Sequence, residues 1–294
     1  MTLKAVVTGG CGFIGSNLVD KLVQKSFEVI VIDNKFDNKN KNASYHKYDI
    51  NNYELIEPLF MDIDYVFHLA AESRIQPTIE NPRLAMQTNV LGTCNVLEAS
   101  RKHNIKRVMY SSTSSAYGLK NNPPLVEDMH RDCLNPYSVS KCAGEDLCKM
   151  YYSLYGLETV TFRYFNVYGE RQPTKGQYAP VIGIFQRQYS NGEPMTVVGD
   201  GSQTRDYVHV SDVVNANILM ALHEDESCLG EIFNVGTGTS YSVMDIVSMI
   251  GSNDVDYINL PNRVGEAKNT LADNKKLKSF GWTPKIKLQE WIKS

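Results

Sequence analysis

The stretch TGGCGFIGSN, residues 8–17, follows the apolar run KAVV and leads into the helical pattern SNLVDKLVQKS, with glycines at 9, 12 and 15. Glycine in these places allows a tight turn, lets backbone N–H groups approach a pyrophosphate at a helix N-terminus, and lets the helix pack close to the strand. The same spacing also serves as a purely structural turn, so its context decides. The next strand, EVIVID, ends at Asp33, roughly 20 residues on, where a carboxylate accepts from an adenosine ribose hydroxyl. Asp33 favours NAD over NADP because it repels a 2′-phosphate, and Lys35 beside it tempers that preference.

Outward from this loop, short apolar runs alternate with helical stretches. KAVVTGG, EVIVIDN, YVFHLAA, RVMYSSTS and TVTFRYFN read as strands; SNLVDKLVQKS, NVLGTCNVLEASRKHN and SKCAGEDLCKMYYSLYG read as helices. This order predicts an α/β fold, a doubly wound parallel sheet with helices on both faces. After about residue 166 the alternation stops, and GERQPTKGQYAP is loop-like, so a second, smaller domain is expected from the C-terminal part. The chain of 294 residues is long enough to bury a substantial core without staples. Its 30 basic and 33 acidic residues give a net charge of −3, and the one Lys-rich run, NKFDNKNKN at 34–42, reads as a solvated loop. Neither nucleic acid nor an anionic membrane is implied as a partner. Cys11, Cys94, Cys133, Cys142, Cys148 and Cys228 show no metal-ligand spacing and no signal peptide precedes them, which predicts reduced thiols, no metal and a cytoplasmic location. No apolar stretch approaches the ~18 residues of a membrane span.

NPYSVSK at 135–141 adds a second signal. Asn135 suits an N-cap and Pro136 the first helical position, so Tyr137 and Lys141 stand four apart on one helix face. A neighbouring ammonium favours the phenolate and pulls a phenol pKa of about 10 toward neutrality. Alone, the pattern is more often a surface tyrosine resting on a lysine stem.

The two signals do not stand alone. DI at 49–50, HLAA at 68–71, NVLGT at 89–93, SSTSSAYG at 111–118, RYFNVYG at 163–169, GDGSQTRDYVHVSD at 199–212 and NVGTG at 234–238 follow in order over nearly the whole length. With them the chain resembles the extended short-chain dehydrogenase/reductase family, in its NAD-dependent nucleotide-sugar epimerase/dehydratase branch. The resemblance implies a Rossmann domain for NAD, at 1–166 and 206–232, and a nucleotide-sugar domain at 167–205 and 233–294, with the segment from 206 returning as the first domain's last strand and helix. It assigns cofactor contacts to Gly9, Gly12, Phe13, Ile14, Gly15, Asp33, Asn34, Asp49, Ile50, Leu69, Ala70, Ala71, Asn89, Ser111, Ser112, Tyr137, Lys141 and Tyr164. For Asn89, helix capping or the placing of active-site backbone are the competing roles, and His68 reads as a satisfied strand-end histidine.

By the same resemblance Thr113, Tyr137 and Lys141 are the catalytic set. Tyr137 takes the proton of the sugar 4-hydroxyl while hydride leaves C4 for NAD⁺, Thr113 relays the proton, and Lys141 holds the nicotinamide ribose and stabilises the phenolate. Asn166, Arg205 and Arg263 are assigned to the diphosphate, Tyr178 and Val181 in YAPVI to a pyrimidine base, uridine in particular, and Glu266 to the nucleotide's ribose. Thr270, seven residues after Arg263, stands where a bulky tyrosine in relatives excludes an N-acetyl group. Thus a 4-epimerase of a UDP-hexose is expected. A dehydratase would place an Asp-Glu pair where Ser114 and Ser115 stand, a decarboxylase would look to Glu72, and a 4-keto reductase shares the whole set. A catalytically idle nucleotide binder is the reading from another class, against which the intact set speaks. Relatives pair through the helices at 89–103 and 137–155, so a homodimer is expected.

Overall fold

Ala5, Val6 and Val7 are all fully buried, as a strand covered on both faces requires. The computed structural model describes residues 2–293 except 38, 177–178, 252–254 and 266. Its strands are β1 Lys4–Thr8, β2 Glu28–Asp33, β3 Ser44–Lys47, β4 Tyr65–His68, β5 Arg107–Thr113, β6 Thr159–Tyr164, β7 Asn166–Tyr168, β8 Met195–Val198, β9 Thr204–His209, β10 Ile232–Val235, β11 Ser240–Ser242 and β12 Tyr257–Leu260. Seven of them form one sheet in the order β10-β6-β5-β4-β1-β2-β3, every neighbouring pair parallel.

Successive strand residues point to opposite faces. Val7, Val31 and Phe67 meet Leu18, Val19 and Leu22 of the helix Phe13–Gln24 and Val213 and Met220 of the helix Val210–Ala221 on one face. Val6, Ile32, Val66 and Val108 meet Val96 and Leu97 of Gly92–Lys102 and Cys148 and Tyr151 of Pro136–Tyr155 on the other. The sheet is doubly wound, as expected. All five strands read from the sequence are present. β3 escaped that reading because SYHK is an exposed edge with no apolar alternation.

A three-stranded sheet, β11-β9-β7, and a parallel pair, β12-β8, stand apart from the large sheet. They share a third core of Tyr168, Ile182, Phe185, Val197, Tyr207 and Ile246. One expectation changes here. The helix Val210–Ala221 does return to the large sheet, but the strand before it does not: β9 pairs with β7 and β11, and the last place in the large sheet goes to β10. Alternation in YVHV marks a strand without saying which edge it joins.

The strand order reverses at β1 and β4, so a crevice opens beyond their C-terminal ends. There Gly9 has φ +72°, and a β-carbon on it would lie 2.6 Å from the Ala70 nitrogen. A β-carbon on Gly15 would overlap the Gly9 carbonyl oxygen.

Candidate active site

A cavity of about 740 Å³ runs from the glycine loop over the ends of β1, β2, β4 and β5 to the segments around Arg205 and Arg263. At one end Gly9, Gly12, Phe13, Ile14 and Gly15 form its floor, with Asp33, Asn34, Asp49 and Ile50 on one side and Leu69, Ala70 and Ala71 on the other. The Asp33 carboxylate accepts from the Cys11 N–H at 2.9 Å through Oδ2 and from the Lys35 N–H at 2.9 Å through Oδ1. Each oxygen keeps acceptor capacity for a ribose hydroxyl. Backbone held this close without side chains, at a helix start and beside a fixed carboxylate, fits a dinucleotide pyrophosphate and its adenosine ribose.

Midway along the cavity stand Thr113, Tyr137 and Lys141. The helix carrying the last two starts in a capping box: Asn135 accepts from the Ser138 N–H at 2.8 Å, and the Ser138 hydroxyl accepts from the Asn135 N–H at 3.3 Å. Thr113 Oγ1 accepts from the Ser115 N–H at 3.1 Å, which leaves its own hydrogen to give, and Tyr137 is near enough for that hydroxyl to favour its ionised form. Burial pushes the Tyr137 phenol above its ordinary value, offset in part by the Thr113 hydroxyl and the charge of Arg74. The expected pull of Lys141 is not among the influences on the phenol. Desolvation outweighs the nearby charges, and the Lys141 ammonium lies over the Tyr110 ring, 4.3 Å from its centroid. Burial pushes Lys141 itself down to about 8, with Glu145 one turn away opposing the shift.

Several polar residues around this centre are committed to one another. His68 Nε2 is 2.9 Å from the Thr93 hydroxyl, which already donates to the Asn89 carbonyl at 2.6 Å, so Nε2 carries the hydrogen. Nδ1 then accepts from Thr8 Oγ1 at 2.7 Å. The imidazole is neutral and satisfied. Asn89 differs from the expectation of a cofactor contact: it is fully buried and does not line the cavity. Its side chain accepts from the Glu72 N–H at 2.8 Å and donates to the Glu72 carbonyl at 3.0 Å and the Ser140 hydroxyl at 2.9 Å, so it fixes the loop after β4 against the helix Pro136–Tyr155. It sits in a π-helical turn, Gln87–Leu91, a distortion that turns it inward. Ser112 gives its hydroxyl to Glu145 Oε1 at 2.6 Å, within a buried pair of Glu145 with Arg163, and Ser111 gives its own to a network with Tyr164 and Asn217. Ser111, Ser112 and Tyr164 line the cavity while these hydroxyls are engaged away from it.

At the far end the cavity is lined by Glu72, Asn166, Val181, Arg205, Arg263 and Thr270. Arg205 Nη1 donates to the carbonyls of Thr204 at 3.0 Å and Lys268 at 2.7 Å, which fixes the guanidinium plane. Thr270, 6% exposed, accepts from the Asp206 N–H at 3.4 Å through its hydroxyl. Tyr178 and Glu266 lie outside the described residues. Three further lining residues went unread in the sequence: Arg74, which faces Tyr137; Arg171, bonded to Asn17 at 2.9 Å and Asp20 at 2.7 Å; and Tyr207. Tyr207 sits two residues beyond Arg205 on β9, a spacing that puts both on one face of the strand.

Residues 5–236 match the model of the family described as the NAD dependent epimerase/dehydratase family. A Methanocaldococcus jannaschii protein provisionally named a UDP-glucose 4-epimerase is 41% identical over 298 residues, covering 98% of this chain and 95% of that one. A Bacillus cytotoxicus protein named UDP-N-acetyl-alpha-D-glucosaminuronate decarboxylase is 37% identical over 266 residues, covering 85% and 80%. The crystal structure of a UDP-glucose 4-epimerase from Thermotoga maritima with UDP-glucose has a TM-score of 0.94 at 36% identity, covering 99% and 96%.

Proposed function

The chain belongs to the NAD-dependent epimerase/dehydratase family, and we propose that it is a 4-epimerase of a UDP-hexose, acting on UDP-Glc/UDP-Gal, UDP-GlcNAc/UDP-GalNAc or both through a transient 4-keto sugar. The observation that carries this reading is the meeting of Thr113, Tyr137 and Lys141 in one cavity that also takes in the glycine loop and two arginines. Bound NAD supplies the two-electron acceptor and donor that oxidation and reduction at the sugar C4 require. The positive charge that oxidised NAD would bring favours the Tyr137 phenolate, so Tyr137 takes the 4-hydroxyl proton as base and returns it as acid, with Thr113 passing it across. Lys141, which lines the same cavity as the glycine loop, would hold the ribose hydroxyls of the cofactor. Arg205, Arg263 and Asn166 hold the diphosphate, so the sugar can turn over between the two transfers without being lost.

Ser114 and Ser115 follow Thr113 along the cavity wall, and neither is an acid or base at neutral pH, which argues against elimination of water. Incubation of the purified protein with UDP-Glc, UDP-GlcNAc and UDP-glucuronic acid, with chromatographic separation of the products, tests the reading. A C4 epimer without net consumption of nicotinamide is expected; a 4-keto-6-deoxy product, a decarboxylated sugar or stoichiometric use of NADH would replace it.

Two structural proposals accompany it. The boundary of the cofactor domain is better drawn after β10 than at 232, with β9 on the sugar side. A homodimer is favoured by apolar side chains left exposed on the two helices of the expected interface, Leu91 at 51% and Leu154 at 69%. Among the described residues, no helix is long and apolar enough to cross a membrane.

A further inference from the structure

We propose that Cys133 and Cys142 are a thiol pair oxidised by hydroperoxides, whose disulfide clamps the turn that carries Tyr137 and Lys141. Their Sγ atoms lie 3.5 Å apart and both thiols are free. Cys133 stands two residues before the N-cap Asn135, and Cys142 directly follows Lys141 in the helix. A covalent link between them closes a ring around the catalytic turn. Bonded sulfurs sit about 2.05 Å apart, so a shift of about 1.5 Å makes the bond.

The two sulfurs differ in the way such a reaction needs. Cys133 is half-buried, so a peroxide in solvent can reach its sulfur. Cys142, 4% exposed, is shielded behind it. Cys133 is thus the attacking sulfur and Cys142 the resolving one. The remaining thiols lack this arrangement. Cys11, Cys148 and Cys228 are buried and pushed up, and the polar neighbour of Cys94 is a tyrosine hydroxyl at 3.9 Å.

The Cys133 thiolate attacks one oxygen of the hydroperoxide; an S–O bond forms as the O–O bond breaks, and the departing oxygen takes a proton. The Cys142 thiol then attacks the sulfenic sulfur, the S–S bond forms, and the hydroxyl leaves as water with the thiol's proton. Two electrons pass from the sulfurs to the peroxide. A dithiol restores both thiols by exchange.

The test treats the full chain with hydrogen peroxide, alkylates it and digests it with trypsin without reduction. Expected is the peptide Asp132–Lys141 joined to Cys142–Lys149, separated again by dithiothreitol, absent from Cys133→Ser and retained in Cys148→Ser. Turnover should fall about tenfold as the peptides join, because displacements of an ångström at a reacting group cost up to about a hundredfold, and it should recover on reduction. Cys133→Ser, with wild-type turnover before treatment, should resist. The turnover arm rests on the proposed function, whereas the peptide arm does not, so the two failures are told apart. Separate, alkylated peptides after peroxide treatment would overturn the pair. Joined peptides with undiminished turnover would overturn the clamp.

Discussion

The two ends of the cavity are built on different plans. The cofactor end is made by the consecutive ends of parallel strands, and the polar side chains in it and packed behind it are mostly engaged within the protein: Asp33 by two backbone N–H groups, and behind the lining His68 by two hydroxyls and Asn89 by the loop after β4. The far end is assembled from β7, β9, the helix Val181–Ser190 and residues 263, 267 and 270, and its lining includes Arg74, Arg205 and Arg263. The first plan predicts that substitutions act on cofactor and fold. The second predicts that they act on substrate, with the fold intact.

The most severe break falls between the ends, at Tyr137. Tyr137→Phe removes the proton-transfer oxygen and keeps the ring in its place, so kcat should drop ~10²–10⁴-fold while NAD binding is nearly unchanged. Turnover and cofactor titration on the same preparation check this. A variant with wild-type turnover would take Tyr137 out of the chemistry.

Next in size is Arg205→Ala. A charge-assisted hydrogen bond contributes about 1.5–3 kcal/mol, so the KM for a UDP-sugar should rise about 10–100-fold, and inhibition by UDP should weaken in parallel. NAD affinity and thermal unfolding should hold, because Arg205 belongs to the sugar end. An equal loss of NAD affinity would erase the contrast between the ends.

That contrast also marks how far the sequence is legible. Residues 8–17, Asp33 and the stretches at 68–71, 111–113 and 137–141 sit at the ends of strands or helices whose apolar pattern is continuous, so spacing along the chain translates directly into position around the crevice. β9 was misplaced because strand pairing at an edge is decided by tertiary packing. Of the roles the sequence allows Asn89, the geometry matches the holding of backbone, through Glu72, and not a cofactor contact, and the π-helical turn it sits in leaves no trace in composition. Arg74 and Arg171 went unread because each acts from a loop, where no periodicity says which way a side chain faces.

Thr270→Tyr probes the sugar end on a finer scale. The threonine is nearly buried against the Asp206 N–H and lines the cavity, so a larger side chain has to occupy substrate space. If it borders the 2-substituent, kcat/KM for UDP-GlcNAc should fall about tenfold more than for UDP-Glc, by steric exclusion. Equal losses for both sugars, or a wild type inert toward UDP-GlcNAc, would show that Thr270 is not the gate.

The smallest effect on turnover belongs to His68, and it sharpens the other side of the comparison. Burial first, and then the charge of Lys141, push its imidazole from 6.5 down to about 3. The unfolded chain takes up this proton as pH falls through about 6.5 and the folded one only near 3, so the unfolded state binds more protons in between. Stability is therefore lost as pH falls across that window, by up to about 1.4 kcal/mol per pH unit for this one group. His68→Gln lacks the titrating ring, starts from a lower stability at pH 7, and should lose less on acidification. Urea unfolding of both proteins at pH 7 and pH 5 should show the wild type losing about 2 kcal/mol more than the variant. At pH 7 the variant's turnover, corrected for its folded fraction, should stay close to wild type, since both ring nitrogens serve Thr8 and Thr93 and neither faces the reacting groups. Parallel acid losses in the two proteins would mean that His68 is not the buried neutral base this end of the cavity is built around.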